Sequence, residues 1–515
     1  MNTLTDSAVA PPAASPSAPP SAPSATPYPA TTRQRTSAWR LAARKEWTDL
    51  QRDTRWRLLL AATVLLMLAA LVLGLQQADR LAHERADAQA GDHAVWTSQG
   101  AKNPHAAAHF GQYAFKPLGP LALAEPGISA YAGNAVWLEA HRQNELQFRA
   151  ARDGTLAARM GTLSLSFVLQ TVLPLIALLL GHAALAGERD QGTLRQLLSL
   201  GVRPGQLLLG KLAAIGAVLM ALLLLACAGL GAGLLLGGQG LGLGPELAMA
   251  PGTGVRLLGL LAGYGLYLGG FLLLAVAVSA AVRNTRLALV ALLAFWLLNS
   301  FLVPRWISDV VRTTDPLPTA QAFRAAMAED KKKQFGHDEK HPAFVALRER
   351  VLRQYAVARV EDLPVSFRGL ALREDDAAGY RIFDHHFGRL QAQLEAQDAR
   401  RAVAGPLFPM LALQPLSMSM AGTDNAHHHH FVRAAEQHRR LIQNVTGQDL
   451  IDHAGNNASY EAPTDLWQRV PPLAYTQPPA AWAWQQQWRN FAALALWFVL
   501  CAAACALAAR RWGKA

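Results

Sequence analysis

Six apolar runs, each about as long as a bilayer is thick, constrain this chain more than any other feature. A helix needs roughly 20 such residues to cross a hydrocarbon core of ~30 Å. The runs at 58–75, 163–186, 207–236, 257–282, 287–303 and 491–509 approach or exceed that length and carry almost no charge. In lipid every backbone polar group must pair within its own segment, so such runs read as helices. The expected fold class is an all-α integral membrane protein with six transmembrane helices, and Pro174 predicts a kink in the second. The 51% hydrophobic content is ordinary; its concentration in these runs is what matters.

Charge fixes the expected orientation. Basic residues cluster at 33–57 ahead of the first run, at Arg283 and Arg286 between the fourth and fifth, and at Arg510, Arg511 and Lys514 after the last. Lys and Arg accumulate on the cytoplasmic side of membrane proteins, so both termini and the 187–206 segment are expected in the cytoplasm. The same rule accounts for the net charge of +12 without nucleic acid as a partner. Regions 76–160 and 304–488 then form two extracytoplasmic insertions, expected to be mainly helical. Apolar residues recur at helical spacing in Phe344, Leu347, Val351, Leu352 and Tyr355, in Phe387, Leu390 and Leu394, and in Phe431, Ala435, His438, Ile442 and Val445. Residues 76–89 are expected to prolong the first helix outward.

Residues 1–32 are rich in Ala, Pro, Ser and Thr and read as a disordered tail without a signal peptide's basic start and apolar centre. The first run is accordingly expected to be an uncleaved anchor. Cys227, Cys501 and Cys505 all fall inside apolar runs, where they offer neither a disulfide framework nor a CxxC metal site. Glycines crowd the third and fourth runs, where small residues let helix backbones approach closely.

Four groups of residues are candidates for chemistry. His105 and His109 share a face if 104–110 is helical, a spacing that can hold a metal ion. His427, His428, His429 and His430 are a second metal candidate. Four consecutive residues point around a helix, however, and Asp424 or Asn425 is better read as the cap of a following helix. Tyr264, Tyr267, Asn299 and Ser300 are polar groups within runs, suited either to a conduit or to hydrogen bonds between packed helices. The fourth group is the segment Gly187-Glu188-Arg189-Asp190-Gln191-Gly192-Thr193-Leu194-Arg195-Gln196-Leu197-Leu198-Ser199, followed by Pro204 and Gly210-Lys211. It is charged, amphipathic and pinned between two spans, so a partner at the membrane surface can push on it. Gly210-Lys211 is followed by Leu212, so it is not the Gly-Lys-Ser/Thr of a phosphate loop.

The pattern of Glu-Arg, Gly-Thr, Leu-Leu-Ser, Pro and Gly-Lys resembles the cytoplasmic coupling segment of ABC-2-type transport permeases. Six spans with large insertions after the first and fifth are similar to a bacterial subgroup with an uncharacterised periplasmic region. The stretches carrying that likeness are 103–117, Leu363-Pro364-Val365 and 421–431, and the resemblance covers about 36–512. It implies a bacterial inner-membrane permease subunit that hydrolyses nothing itself. ATP and magnesium would be bound by a separate cytoplasmic ABC ATPase, and a second permease copy or a sister permease would complete the pore. Glu188, Arg189, Gly192, Thr193, Leu194, Arg195, Leu197 and Leu198 would then couple the ATPase to the spans. Arg189 and Arg195 would meet the partner, Gly192-Thr193 would make the bend, and the leucines would anchor the helix to lipid. An envelope protein is a further candidate partner for the periplasmic domain. The competing reading is a non-transporting scaffold or sensor whose periplasmic domain binds a ligand or metal. A membrane metalloenzyme is disfavoured because HExxH is absent.

Overall fold

Proline sets the course of two of the long helices. In the computed structural model, a π-helical turn at Val168–Val172 comes just before Pro174, and a second at Leu298–Leu302 comes just before Pro304. Proline has no N–H to give and its ring clashes with the carbonyl four residues earlier; a wider turn relieves both. The kink expected at Pro174 thus takes the form of a π-turn, and the fifth run repeats the device.

The structure describes residues 10, 37–153, 163–237, 251–336 and 338–512. Ala38–Ala515 forms one unit, whereas the tail expected at 1–32 lies outside the described residues apart from Ala10. Among the described residues, six helices are long and apolar enough to span a membrane: Thr54–Thr97, Leu165–Asp190, Pro204–Leu235, Thr253–Ala281, Thr285–Thr314 and Ala480–Arg511. The first is a continuous helix of 44 residues, so it does run on through 76–89. Ahead of it lies the helix Ala38–Arg52, packed along the third span. Gly210 makes that approach possible, because a Cβ there would lie 2.6 Å from Ala42 Cβ and from the Trp39 carbonyl oxygen. At Gly270 a Cβ would overlap the Trp497 indole, so the fourth and sixth spans meet where the side chain is missing.

The region after the first span carries a small sheet beside its helices. It holds a three-stranded antiparallel sheet of β1 (Gln112–Phe115), β2 (Ala135–Glu139) and β3 (Arg142–Gln143), with Gln112 opposite Leu138 and Leu138 opposite Gln143. The strands are too short for their alternation to stand out in the sequence. Ala114, Val136 and Leu138 turn inward onto Trp96, Phe431, Ala435, Ile442 and Trp467. One core is therefore shared between the region after span one and the helix Asn425–His453 between spans five and six. Trp96 Nε1 donates to the Trp467 carbonyl at 3.1 Å, and Trp467 Nε1 to that of Gly100 at 2.8 Å. A smaller core joins Phe335, Leu347 and Val351 to Phe367 and Ala371 on the helix Phe367–Ala402.

The helix Met410–Ala421 was not anticipated as a separate element. It lies within the 304–488 insertion, yet Leu413, Leu416 and Met420 join the core of the span bundle. At 12 residues it is too short to cross a bilayer, and most of its residues, Ser417 and Ser419 included, are buried against the spans.

Candidate functional site

The segment between spans two and three folds as two short helices, Ala186–Asp190 and Thr193–Ser199, joined at Gly192. Gly192 has φ 74°, a left-handed conformation that glycine adopts without steric cost, and this supplies the expected bend. The structure turns Glu188 inward. Its Oε1 meets Lys45 Nζ at 2.9 Å and Lys211 Nζ at 3.2 Å, Lys211 also meets Glu46 at 2.6 Å, and Thr193 Oγ1 donates to Glu188 Oε2. The side chains of Glu188 and Lys211 are 8% and 4% exposed. Two acids and two bases from three chain segments thus form one node. Gly210 and Lys211 act together in it: the glycine admits the helix Ala38–Arg52, and the lysine binds its Glu46.

Arg189 also points into the chain, against the expectation that it meets a partner. Its guanidinium donates to the carbonyls of Val282 and Ala280, the latter at 3.0 Å, at the end of the fourth span. Asp190 accepts from the backbone and hydroxyl of Thr285 at 3.1 and 2.9 Å, which ties the segment to the start of the fifth span. Leu194 is buried, and Leu197 and Leu198 pack against the bundle core rather than lying wholly on an outer surface. The exposed face is left to Gln191, Gly192, Arg195, Gln196, Ser199 and Leu200.

The polar groups inside the spans form a second node. Tyr264 OH lies 3.0 Å from Gln170 Nε2 and 2.9 Å from Ser417 Oγ. Gln170 Nε2 and Ser417 Oγ both donate to Glu125 Oε2 at 2.8 Å. Burial pushes the Glu125 carboxyl up, against hydrogen bonds from Ser417, Gly127 and Gln170 that pull it down. Tyr267 OH donates to the Gln170 carbonyl at 2.9 Å, Asn299 Nδ2 reaches Tyr267 OH at 3.3 Å, and Asn299 Oδ1 accepts from Met410 N at 3.2 Å. Asn299 therefore caps the first turn of Met410–Ala421. Arg256 closes its other end by donating to the carbonyls of Ser419, Met420 and Pro478 at 3.0, 3.2 and 2.6 Å. In this conformation Tyr264, Tyr267 and Asn299 hold packed helices together; Ser300 is half-buried beside them.

The histidines separate into two cases. His105 and His109 lie on one face of the helix Pro104–Phe110, with their Nε2 atoms 3.2 Å apart. Burial, reinforced by neighbouring imidazoles, pulls His105 down to about 4. The 427–430 run opens the helix Asn425–His453, with Asp424 as its N-cap, and its rings diverge. His427 pairs with Asp424, while His428 Nε2 lies 3.5 Å from both Lys116 Nζ and Ser129 Oγ. His430 lies 3.1 Å from the Tyr475 hydroxyl. Among the described residues these four do not form part of any three-ligand cluster, because consecutive helical positions face different neighbours.

Residues 41–329, more than half of the chain, match the family described as ABC-2 family transporter protein. The chain belongs to this family. Residues 320–476 match a domain of unknown function, DUF3526, and no curated protein matches the chain. This ABC-2 family chain is thus a membrane-spanning permease subunit with an additional domain. The node at Glu188 lies wholly in the ABC-2 match, whereas the Glu125 node also draws Ser417 from the additional domain. Reading the sequence found Glu188 and both tyrosines but missed Lys45, Glu46, Lys211's partners, Glu125 and Gln170. Lys45 and Glu46 were visible only as part of a basic flank, and Glu125 lies outside every span in the sequence.

Proposed function

We propose that this permease subunit couples ATP hydrolysis by a separate cytoplasmic ABC ATPase to export or to work on the envelope, with the 187–206 segment as the docking element. The observation that carries the reading is the division of that segment into a fixed inner face and an exposed outer face that is polar except for Leu200. Glu188, Arg189 and Asp190 bind it to the helix Ala38–Arg52 and to spans three, four and five. A push on Gln191, Arg195, Gln196 and Ser199 would therefore reach four helices through charge-assisted bonds, which are stronger than neutral ones. Arg195 replaces Arg189 as the arginine available to an acidic groove. Both termini and this segment belong on the cytoplasmic side of the bacterial inner membrane, consistent with the basic flanks. A second copy or a sister permease would complete the assembly.

The test is co-purification of the full chain in detergent with the ATPase encoded nearest to it. Stoichiometric ATPase is expected with the native chain, and at least about tenfold weaker association with Arg195→Glu, which opposes an acidic groove. Absence of any ATPase, or undiminished association of Arg195→Glu, would overturn the reading.

A further inference from the structure

The histidine pair at 105 and 109 has a third member that the sequence does not reveal. Asn103 caps the helix Pro104–Phe110 by accepting from the backbone N–H groups of His105 and Ala106, and its side-chain amide donates to the Tyr460 carbonyl at 3.0 Å. Against this helix lies the tip of the β2–β3 hairpin, Ala140-His141, fastened by a bond from Ala140 N to the Ala108 carbonyl at 3.0 Å. His141 has φ 59°, a left-handed conformation uncommon outside glycine and a place where strain often serves a site. Two contacts hold it there: its Nδ1 lies 2.8 Å from Asp376 Oδ1, and its carbonyl accepts from Lys331 Nζ at 2.6 Å. The three imidazole rings have centroids 4.7, 5.1 and 5.2 Å apart.

We propose that His105, His109 and His141 bind a divalent cation of the zinc class, with Asp376 as the outer carboxylate that orients His141. One ligand atom from each histidine lies within 4.8 Å of the others. Imidazole nitrogens at roughly 2.0–2.1 Å from a tetrahedral ion stand about 3.3 Å apart, and the His105–His109 separation of 3.2 Å is already at that spacing. With Nδ1 of His141 engaged by Asp376, Nε2 is its ligand atom, and a carboxylate on the far nitrogen is the usual support for a metal-binding histidine. A set of three neutral nitrogens suits zinc, copper or nickel and not calcium or magnesium. His109 is exposed, which leaves the fourth position to water or a small ligand. The ion would clasp the helix and hairpin that follow span one to the helix Phe367–Ala402 between spans five and six. This proposal is independent of ATPase docking.

The test uses the full chain in detergent, purified by a tag without histidine and stripped with chelator. Calorimetry with zinc chloride should give one site per chain, and cobalt(II) should give the visible absorption of a tetrahedral complex. His109→Ala and His141→Ala should abolish that site, Asp376→Asn should weaken it about 10- to 100-fold, and His429→Ala/His430→Ala should leave it unchanged. His109 is exposed, so its removal leaves the fold intact and keeps the test meaningful if His141→Ala fails to fold. A folded native chain without stoichiometric zinc, or zinc binding that survives His109→Ala, would overturn the proposal; the latter would make the close imidazoles a hydrogen-bonded pair only.

Discussion

The nodes at Glu188 and at Glu125 both bury carboxylates between span helices, but they do it by opposite means. Around Glu188 the charges balance, with Lys45 and Lys211 against Glu188 and Glu46. Around Glu125 a single carboxyl is satisfied by an amide and a hydroxyl, and burial pushes it up. A paired ion loses its compensation when one member goes, because the partner stays buried and charged. A hydrogen-bonded group can re-pair with another neutral partner at small cost. The first node is therefore built to keep one arrangement, whereas the second tolerates a change of partner.

The largest effect that would break this contrast is at Lys211. Lys211→Met strands Glu46 and leaves Glu188 with Lys45 as its one basic partner; it is expected to cost about 3–5 kcal/mol in detergent unfolding, and adding Glu46→Gln should recover much of the loss. If the single variant is as stable as the native chain, the node is not a fixed joint. His428 gives an intermediate effect, next to the Glu125 node. Burial and Lys116 pull this ring down to about 3, with His427 adding to the shift and Asp424 opposing it. The folded ring stays neutral while the unfolded one takes a proton below about 6.5, so stability falls as pH falls from there toward 3. At pH 5 the loss is about 2 kcal/mol relative to pH 7, and His428→Gln should flatten the melting-temperature profile by that amount. An unchanged profile would mean that the ring is charged in the fold. The smallest effect belongs to Glu125→Gln, expected within about 1 kcal/mol of native, against roughly 1–3 kcal/mol for Glu125→Ala. Unfolding of the two variants side by side decides the matter: a Gln variant as damaged as the Ala variant would show that the carboxyl is needed as an ion.

Legibility followed sequence distance. The helix Asn425–His453 and its inward Phe431, Ala435 and Ile442 could be read because period 3.6 is a local property. The bend at Gly192 came instead from the resemblance to the family's coupling segment, and the left-handed glycine there makes the turn between the two short helices. The direction of Arg189 was not legible, because a charged residue beside a span looks the same in sequence whether it faces a partner or the carbonyls ending span four. Likewise, β1 to β3 were hidden by strands of two to five residues, too short to show period two.

What the bilayer demands is written along the chain: six long apolar helices, the charge asymmetry at their ends and the amphipathic segment between the second and third. Lipid imposes those requirements on each segment separately, so each segment carries its own record. Folding in three dimensions sets which charges neutralise which, brings Met410–Ala421 into the bundle between Asn299 and Arg256, and joins His141 to His105 and His109. Those pairings depend on atoms brought within about 3 Å from positions tens to hundreds of residues apart, and no local pattern encodes that meeting.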